Sequence, residues 1–106
     1  MSYRFMRILL FFDLPVGSIE ERREYTRFRQ YLIKSGFMMM QESVYSKLAL
    51  NTTAAEAVIA NVRKNKPTHG LVEVLNITEK QFSKMEIIIG TKSSEVLDND
   101  ERLIIL

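Results

Sequence analysis

Two groups of residues in this chain have types and spacings that could do chemistry. Asp13 closes an apolar run, Ile8 to Phe12, and stands directly before Leu14-Pro15-Val16-Gly17. A carboxylate there is either a turn residue, as Asp often is before a Pro-containing turn, or a ligand. If two copies of the chain bring two Asp13 side chains together, like charges held close raise one pKa unless a cation sits between them. Oxygen-only ligation of that kind suits Mg²⁺ or Mn²⁺, and a hydrated ion of either type can orient or activate water against a phosphodiester. The second group lies in Glu20-Glu21-Arg22-Arg23-Glu24-Tyr25-Thr26-Arg27-Phe28-Arg29-Gln30. Arg23, Arg27, Gln30 and Lys34 recur at helical spacing, flanked by Arg22 and Arg29. The planar guanidinium fork matches phosphate oxygens. The same stripe is also what a solvated helix face with Glu–Arg pairs looks like.

Composition removes other chemistries. There is no cysteine and a single histidine, so thiol nucleophiles, disulfides, zinc ribbons and multi-histidine metal sites are excluded. His69 sits beside Gly70 after Lys64-Asn65-Lys66 and reads as a surface turn residue. Met38-Met39-Met40 would alternate faces in a strand, which suits adaptable packing rather than metal binding. Ser43 could offer a hydroxyl to phosphate. The 15 Lys and Arg residues against 13 Asp and Glu give a formal charge of only +2. The charge is unevenly spread: basic residues lead acidic ones by seven to four in 1–35, and trail them by four to six in 77–106. That asymmetry predicts an anionic partner at the front and a different contact at the end. No apolar run reaches the roughly 20 residues of a membrane span, and no signal peptide is evident, so a cytoplasmic protein is expected.

These residues need elements to position them. Phe5 to Phe12 is short, apolar and stopped by Pro and Gly, which predicts a buried strand. Ser18 with Glu21 has capping-box spacing and opens a helix to Ser35, with Tyr25, Phe28 and Leu32 inward, Ile19 near its start and Gly36 beyond its end. Phe37–Met40 and Val44–Leu50 are extended runs. Asn51-Thr52-Thr53 caps a helix from about Ala54 to Asn65 with Ala55, Val58, Ile59 and Val62 inward. A strand at Leu71–Ile77, a short helix or turn at Thr78–Met85 and a strand at Glu86–Ile89 follow. The chain of 106 residues suits one α+β domain, a ferredoxin-like split βαβ (βαββαβ) over 1–90. Residues 91–106 then supply an acidic linker and an additional C-terminal strand.

A sheet with both helices on one face leaves the other uncovered. Ile8, Leu10 and Phe12 face the helices; Arg7, Leu9, Phe11 and Asp13 face away, extended by Leu71, Leu75 and Tyr45 with Glu73 and Lys47. No third layer is expected to cover that face, which predicts a homodimer packed sheet against sheet. Leu103, Ile104 and Ile105 are suited to adding a strand to a partner's sheet edge.

The ordered combination of Phe11-Phe12-Asp13-Leu14-Pro15, Arg22-Arg23, Ser35-Gly36-Phe37 and Gln41-Glu42-Ser43-Val44-Tyr45 resembles the small CRISPR-associated Cas-two proteins. Gln81-Phe82-Ser83-Lys84-Met85-Glu86 and Gly90 are similar to the type II-A variant. The resemblance implies a ferredoxin-like homodimer in spacer acquisition, held between dimers of the CRISPR integrase Cas-one and cradling duplex DNA. It implies that Asp13 is the metal-binding and catalytic aspartate of the family's proposed nuclease, with Mg²⁺ or Mn²⁺. It also implies DNA backbone contact by the basic first helix, where Arg22, Arg23, Arg27 and Lys34 are the candidate nucleic-acid-binding residues, and partner contact by the C-terminal apolar run with Leu103, Ile104 and Ile105. Some members are reported as metal-dependent nucleases, whereas their part in integration is usually non-catalytic. Phe12 and Leu14 stand where many relatives have Tyr and Ile. A ferredoxin-like ligand-sensing or interaction module without a nucleic-acid role is the competing class.

Overall fold

The computed structural model describes residues 5–91. Its elements are β1 (Met6–Asp13), α1 (Ile19–Lys34), β2 (Met38–Gln41), β3 (Val44–Ala49), α2 (Thr52–Lys64), β4 (Leu71–Thr78) and α3 (Glu79–Phe82). The four-stranded sheet has the order β2-β3-β1-β4 with every neighbour antiparallel, which is the ferredoxin-like arrangement. Among the described residues, no helix is long and apolar enough to cross a membrane.

Local chemistry sets the helix ends. The Ser18 hydroxyl accepts from the Glu21 N–H, and the Glu21 carboxylate accepts in return from the Ser18 N–H, so the expected capping box forms. At the other end the Phe37 N–H donates to Leu32 O and the Gly36 N–H to Ile33 O, the paired bonds of a Schellman motif. Gly36 carries the positive φ of 96° that this ending requires. Phe37 and Leu32 are both buried, which supplies the hydrophobic contact that accompanies the motif. The Lys47 ammonium then donates to Ser35 O at 2.8 Å, a cation placed at the negative end of α1. Asn51 caps α2, which begins two residues earlier than its periodicity suggests.

The core lies between the sheet and α1 and α2. Ile8, Leu10 and Phe12 are buried there with Phe28, Leu32, Phe37, Tyr45, Ala49, Ala55 and Val62. Ile19, expected near the apolar stripe, is instead exposed. Register corrects the expected faces of β3. Leu10 pairs with Tyr45 and Ile8 with Lys47, so both β3 side chains share the helix face with Leu10 and Ile8. Val44, Ser46 and Leu48 take the opposite face beside Phe11, Leu9 and Arg7. Along β3 both alternating sets carry apolar residues, and pattern alone could not choose between them.

The outer face of the sheet is partly covered after all. Met85, Ile87 and Ile89 line a cleft with Leu9, Phe11, Met40 and Val44. Glu86–Ile89 does not form the expected strand, and Ile88 and Ile89 themselves stay largely exposed. The cover is incomplete, since Leu48, Leu71 and Leu75 remain about half exposed. The segment expected to form an additional C-terminal strand, with Leu103, Ile104 and Ile105, lies outside the described residues.

At the start of β1, Arg7 meets α3. Its Nε donates to Glu79 Oε1 at 2.7 Å and its Nη2 to Oε2 at 2.6 Å, while its guanidinium carbon lies 4.4 Å from the Phe82 ring centre. The hydrogen-bonded Arg7 guanidinium holds the Glu79 carboxyl below its ordinary value of 4.5, against the opposing effect of partial burial. A depressed carboxyl stabilises the fold fully above the unfolded value and progressively less as pH falls through the folded one. Wild type minus Glu79→Gln stability, from urea titrations between pH 7 and pH 3, should be flat above about pH 5.5 and shrink below 4.5.

Candidate nucleic-acid interface and the strand-end aspartate

Asp13 is the last residue of β1 and pairs with Leu71. It is exposed, and strand alternation puts its side chain on the outer sheet face with Leu9 and Phe11. Two turns enclose this end of the strand. On one side the Phe12 N–H donates to Ser43 O at 3.1 Å, tying β1 to the β2–β3 turn. On the other, Gly70 packs so closely that a Cβ there would stand 2.9 Å from Asp13 O and 2.7 Å from Leu14 Cδ2.

Among the described residues no group of three His, Cys, Asp or Glu is placed to hold a metal ion. One chain supplies the single Asp13 carboxylate, which does not by itself fit Mg²⁺ or Mn²⁺ with their demand for several oxygen ligands.

The expected basic stripe assembles on the outer face of α1. Arg22, Arg23, Thr26, Arg27 and Gln30, with Ile19 at one end, line one shallow groove. Thr26 was not among the candidates, although its i+3 and i+4 spacing from Arg23 and Arg22 places it on the same face. Arg22 is partly engaged, its Nη1 donating to Val16 O at 3.1 Å across the β1–α1 loop. Lys34 is exposed in the last turn of α1, on the line of the stripe but beyond the groove. Arg29 does not extend the stripe. Its Nε donates to Tyr45 Oη at 3.1 Å, so it faces the β2–β3 side of the helix.

One acidic residue beside this surface is hydrogen-bonded to the turn before β4, although it stays close enough to Arg27 to feel its charge. Glu24 accepts from the Thr68 hydroxyl at 2.7 Å and from the Thr68 N–H at 3.0 Å. Those two bonds hold its carboxyl below the ordinary range, and nearby His69 and Arg27 lower it further. The contact also fastens the turn before β4 to α1. His69 is exposed in that turn, as its sequence position suggested.

The chain is thus a small ferredoxin-like α+β domain with a cationic helix face and a carboxylate at the end of an interior strand. The family model described as CRISPR associated protein Cas2 matches residues 6–85, and the chain belongs to that family. It is similar to a protein named CRISPR-associated endoribonuclease Cas2 from Treponema denticola, 58% identical over 95% of this chain and 100% of the relative. Relatives of the same name from Streptococcus mutans serotype c and Ligilactobacillus salivarius are each 44% identical over 95% of this chain, covering 93% and 100% of their own lengths.

The geometry around Asp13 makes Gly70 the residue with the least freedom. Its φ of 103° and the backbone oxygen beneath it leave no room for a side chain. Gly70→Ala is expected to lower stability by about 1–3 kcal/mol, read as an earlier urea midpoint with an unchanged slope.

Proposed function

We propose that the protein is a CRISPR adaptation subunit that binds duplex DNA through its backbone. The observation that carries this reading is the groove of Arg22, Arg23, Arg27 and Gln30 on the outer face of α1. Guanidinium groups at successive turns match the spacing of a phosphate run, and neutralising phosphates releases counterions, so binding weakens steeply with salt. Membership of a CRISPR-associated family supports placing that activity in spacer acquisition.

In this reading two copies form a homodimer through their outer sheet faces. Leu48, Leu71 and Leu75 supply exposed apolar area that a symmetry mate would cover. The homodimer bridges dimers of the CRISPR integrase Cas-one, with Leu103, Ile104 and Ile105 as the contact to the protein partner. Asp13 then has no catalytic part in integration.

A second reading is favoured by the relatives' shared name, endoribonuclease, and by the exposure of Asp13. It makes the protein a Mg²⁺- or Mn²⁺-dependent endonuclease in which Asp13 of each copy contributes to one shared site. The solitary Asp13 carboxylate of one chain means that this activity would depend on the dimer.

Salt-dependent binding and cleavage separate the two. Arg23→Gln with Arg27→Gln should weaken duplex binding about tenfold or more and reduce the slope of log K against log salt by roughly two. Asp13→Ala should leave both binding and spacer acquisition intact. Unchanged duplex affinity in the double arginine variant overturns the DNA reading. Metal-stimulated RNA cleavage that disappears in Asp13→Ala and with chelator establishes the second reading; cleavage surviving both excludes it.

A further inference from the structure

A second recess lies between α1 and the β2–β3 turn, beside the core residues Tyr25 and Tyr45. Tyr25 and Arg29 line it from α1, and Met39, Glu42, Ser43 and Tyr45 line it from the hairpin. Its volume is about 360 Å³, within the range of roughly 300–1,000 Å³ usual for small-molecule sites. Arg29 is held there by Tyr45 Oη. Tyr45 is itself 1% exposed and stacked on Phe12 at 5.7 Å, so the guanidinium hangs from an immobile anchor. That bond uses Nε alone and leaves the Nη groups without partners among the described residues. Glu42, at the tip of the turn, makes no hydrogen bond or ion pair among the described residues. Arg29 and Glu42 thus line the same recess, with Ser43 and Met39, and form no ion pair with each other.

A group that fills such a gap must accept hydrogen bonds from a guanidinium and donate them to a carboxylate. Phosphate meets the first demand and fails the second, because it would face Glu42 as a like charge. Among nucleobases, guanine alone presents two adjacent donors, N1–H and N2–H, to a carboxylate while offering O6 and N7 to an arginine. Its flat ring suits the half-buried face of Tyr25 and the polarisable Met39 side chain. Both donors lie on the Watson–Crick edge, so the base must be unpaired. The recess adjoins the phosphate-binding stripe, because Arg29 stands seven residues, about two turns, beyond Arg22 on the helix.

We propose that this recess is a site for an unpaired guanine of the nucleic acid bound on α1, read by Arg29 and Glu42. The proposal rests on the nucleic-acid reading above and adds a base preference to it. Fluorescence anisotropy with a DNA duplex oligonucleotide bearing a short single-stranded thymidine tail, alone or with one guanosine in the tail, tests it on the intact protein. Wild type should bind the guanosine oligonucleotide about tenfold tighter. Glu42→Gln, on an exposed turn where folding is not at stake, should bind the two alike, as should Arg29→Met. Arg23→Gln with Arg27→Gln should weaken both oligonucleotides and keep their ratio. Equal binding of the two by wild type, or a guanosine preference that survives Glu42→Gln, overturns the guanine site and leaves the backbone reading standing. Failure of wild type to bind either oligonucleotide or duplex overturns both.

Discussion

Strand β1 is paired on both edges, to β3 and to β4, and the rest of the molecule depends on how its last three residues are held. Phe12 is the point of greatest constraint. Its ring is stacked on Tyr45 and meets Tyr25 and Phe28 edge-on, each at 5.7 Å between centroids. One side chain thereby joins the central strand, the hairpin and α1, in the geometries that aromatic quadrupoles favour. Its backbone N–H is spent on Ser43 O, fixing the hairpin turn against the strand end. The next residue is Asp13, so the carboxylate projects from a stem whose neighbours on both sides are immobilised. The same Tyr45 that stacks on Phe12 carries the hydroxyl that orients Arg29. Aromatic packing in the core thus positions both the strand-end acid and a surface base.

Electrostatics on α1 follows the same economy of parts. The helix carries Glu20, Glu21 and Glu24 among its arginines, and a count of charges would call the face nearly neutral. Glu21 is committed to the capping box and to the Gly17 N–H, and Glu24 to Thr68. Two of the three acids therefore have a structural task, at the helix start or on the flank facing the 66–70 turn, and Glu20 stands in the first turn of α1. The guanidinium groups of Arg23 and Arg27 are left facing solvent in one groove with Thr26 and Gln30 between them. A net charge of +2 understates what a polyanion would meet.

Much of this was legible in the residues. The pattern of Ile8, Leu10 and Phe12 identified the buried face of the first strand, Ser18 and Glu21 marked where α1 begins, and Gly36 marked where it ends, because these signals act over a few residues. Asp13 at a strand terminus was equally plain. Signals that depend on long-range register were not. The face taken by Tyr45 and Lys47 is one of these, because β3 alternates Val44 and Leu48 against Tyr45 and Ala49, and only pairing with β1 decides. Glu86–Ile89 has a strand's composition, yet a strand also needs a free edge within reach, and composition carries no information about that. Arg29 looked like one more member of the basic stripe; its bond to a tyrosine sixteen residues away could not be read from helical spacing.

The outer sheet face carries the remaining tension in the design. Leu9 is buried beneath the chain that follows α3, while Leu71 and Leu75, on the same face, stay about half exposed. Burial of apolar area is worth roughly 25 cal/mol per Å², so uncovered leucines on a rigid sheet are a standing drive to association. Two carboxylates stand near the end of that face: Asp13, opposite Leu71, and Glu73, opposite Phe11. Any partner that covers Leu71 and Leu75 must approach the strand terminus where Asp13 pairs with Leu71. Association through this face and the chemistry of Asp13 are therefore coupled by position. A symmetric partner would bring a second acid to the first, whereas an unlike partner would leave Asp13 solitary, and the identity of that partner decides whether the strand end can do more than finish a sheet.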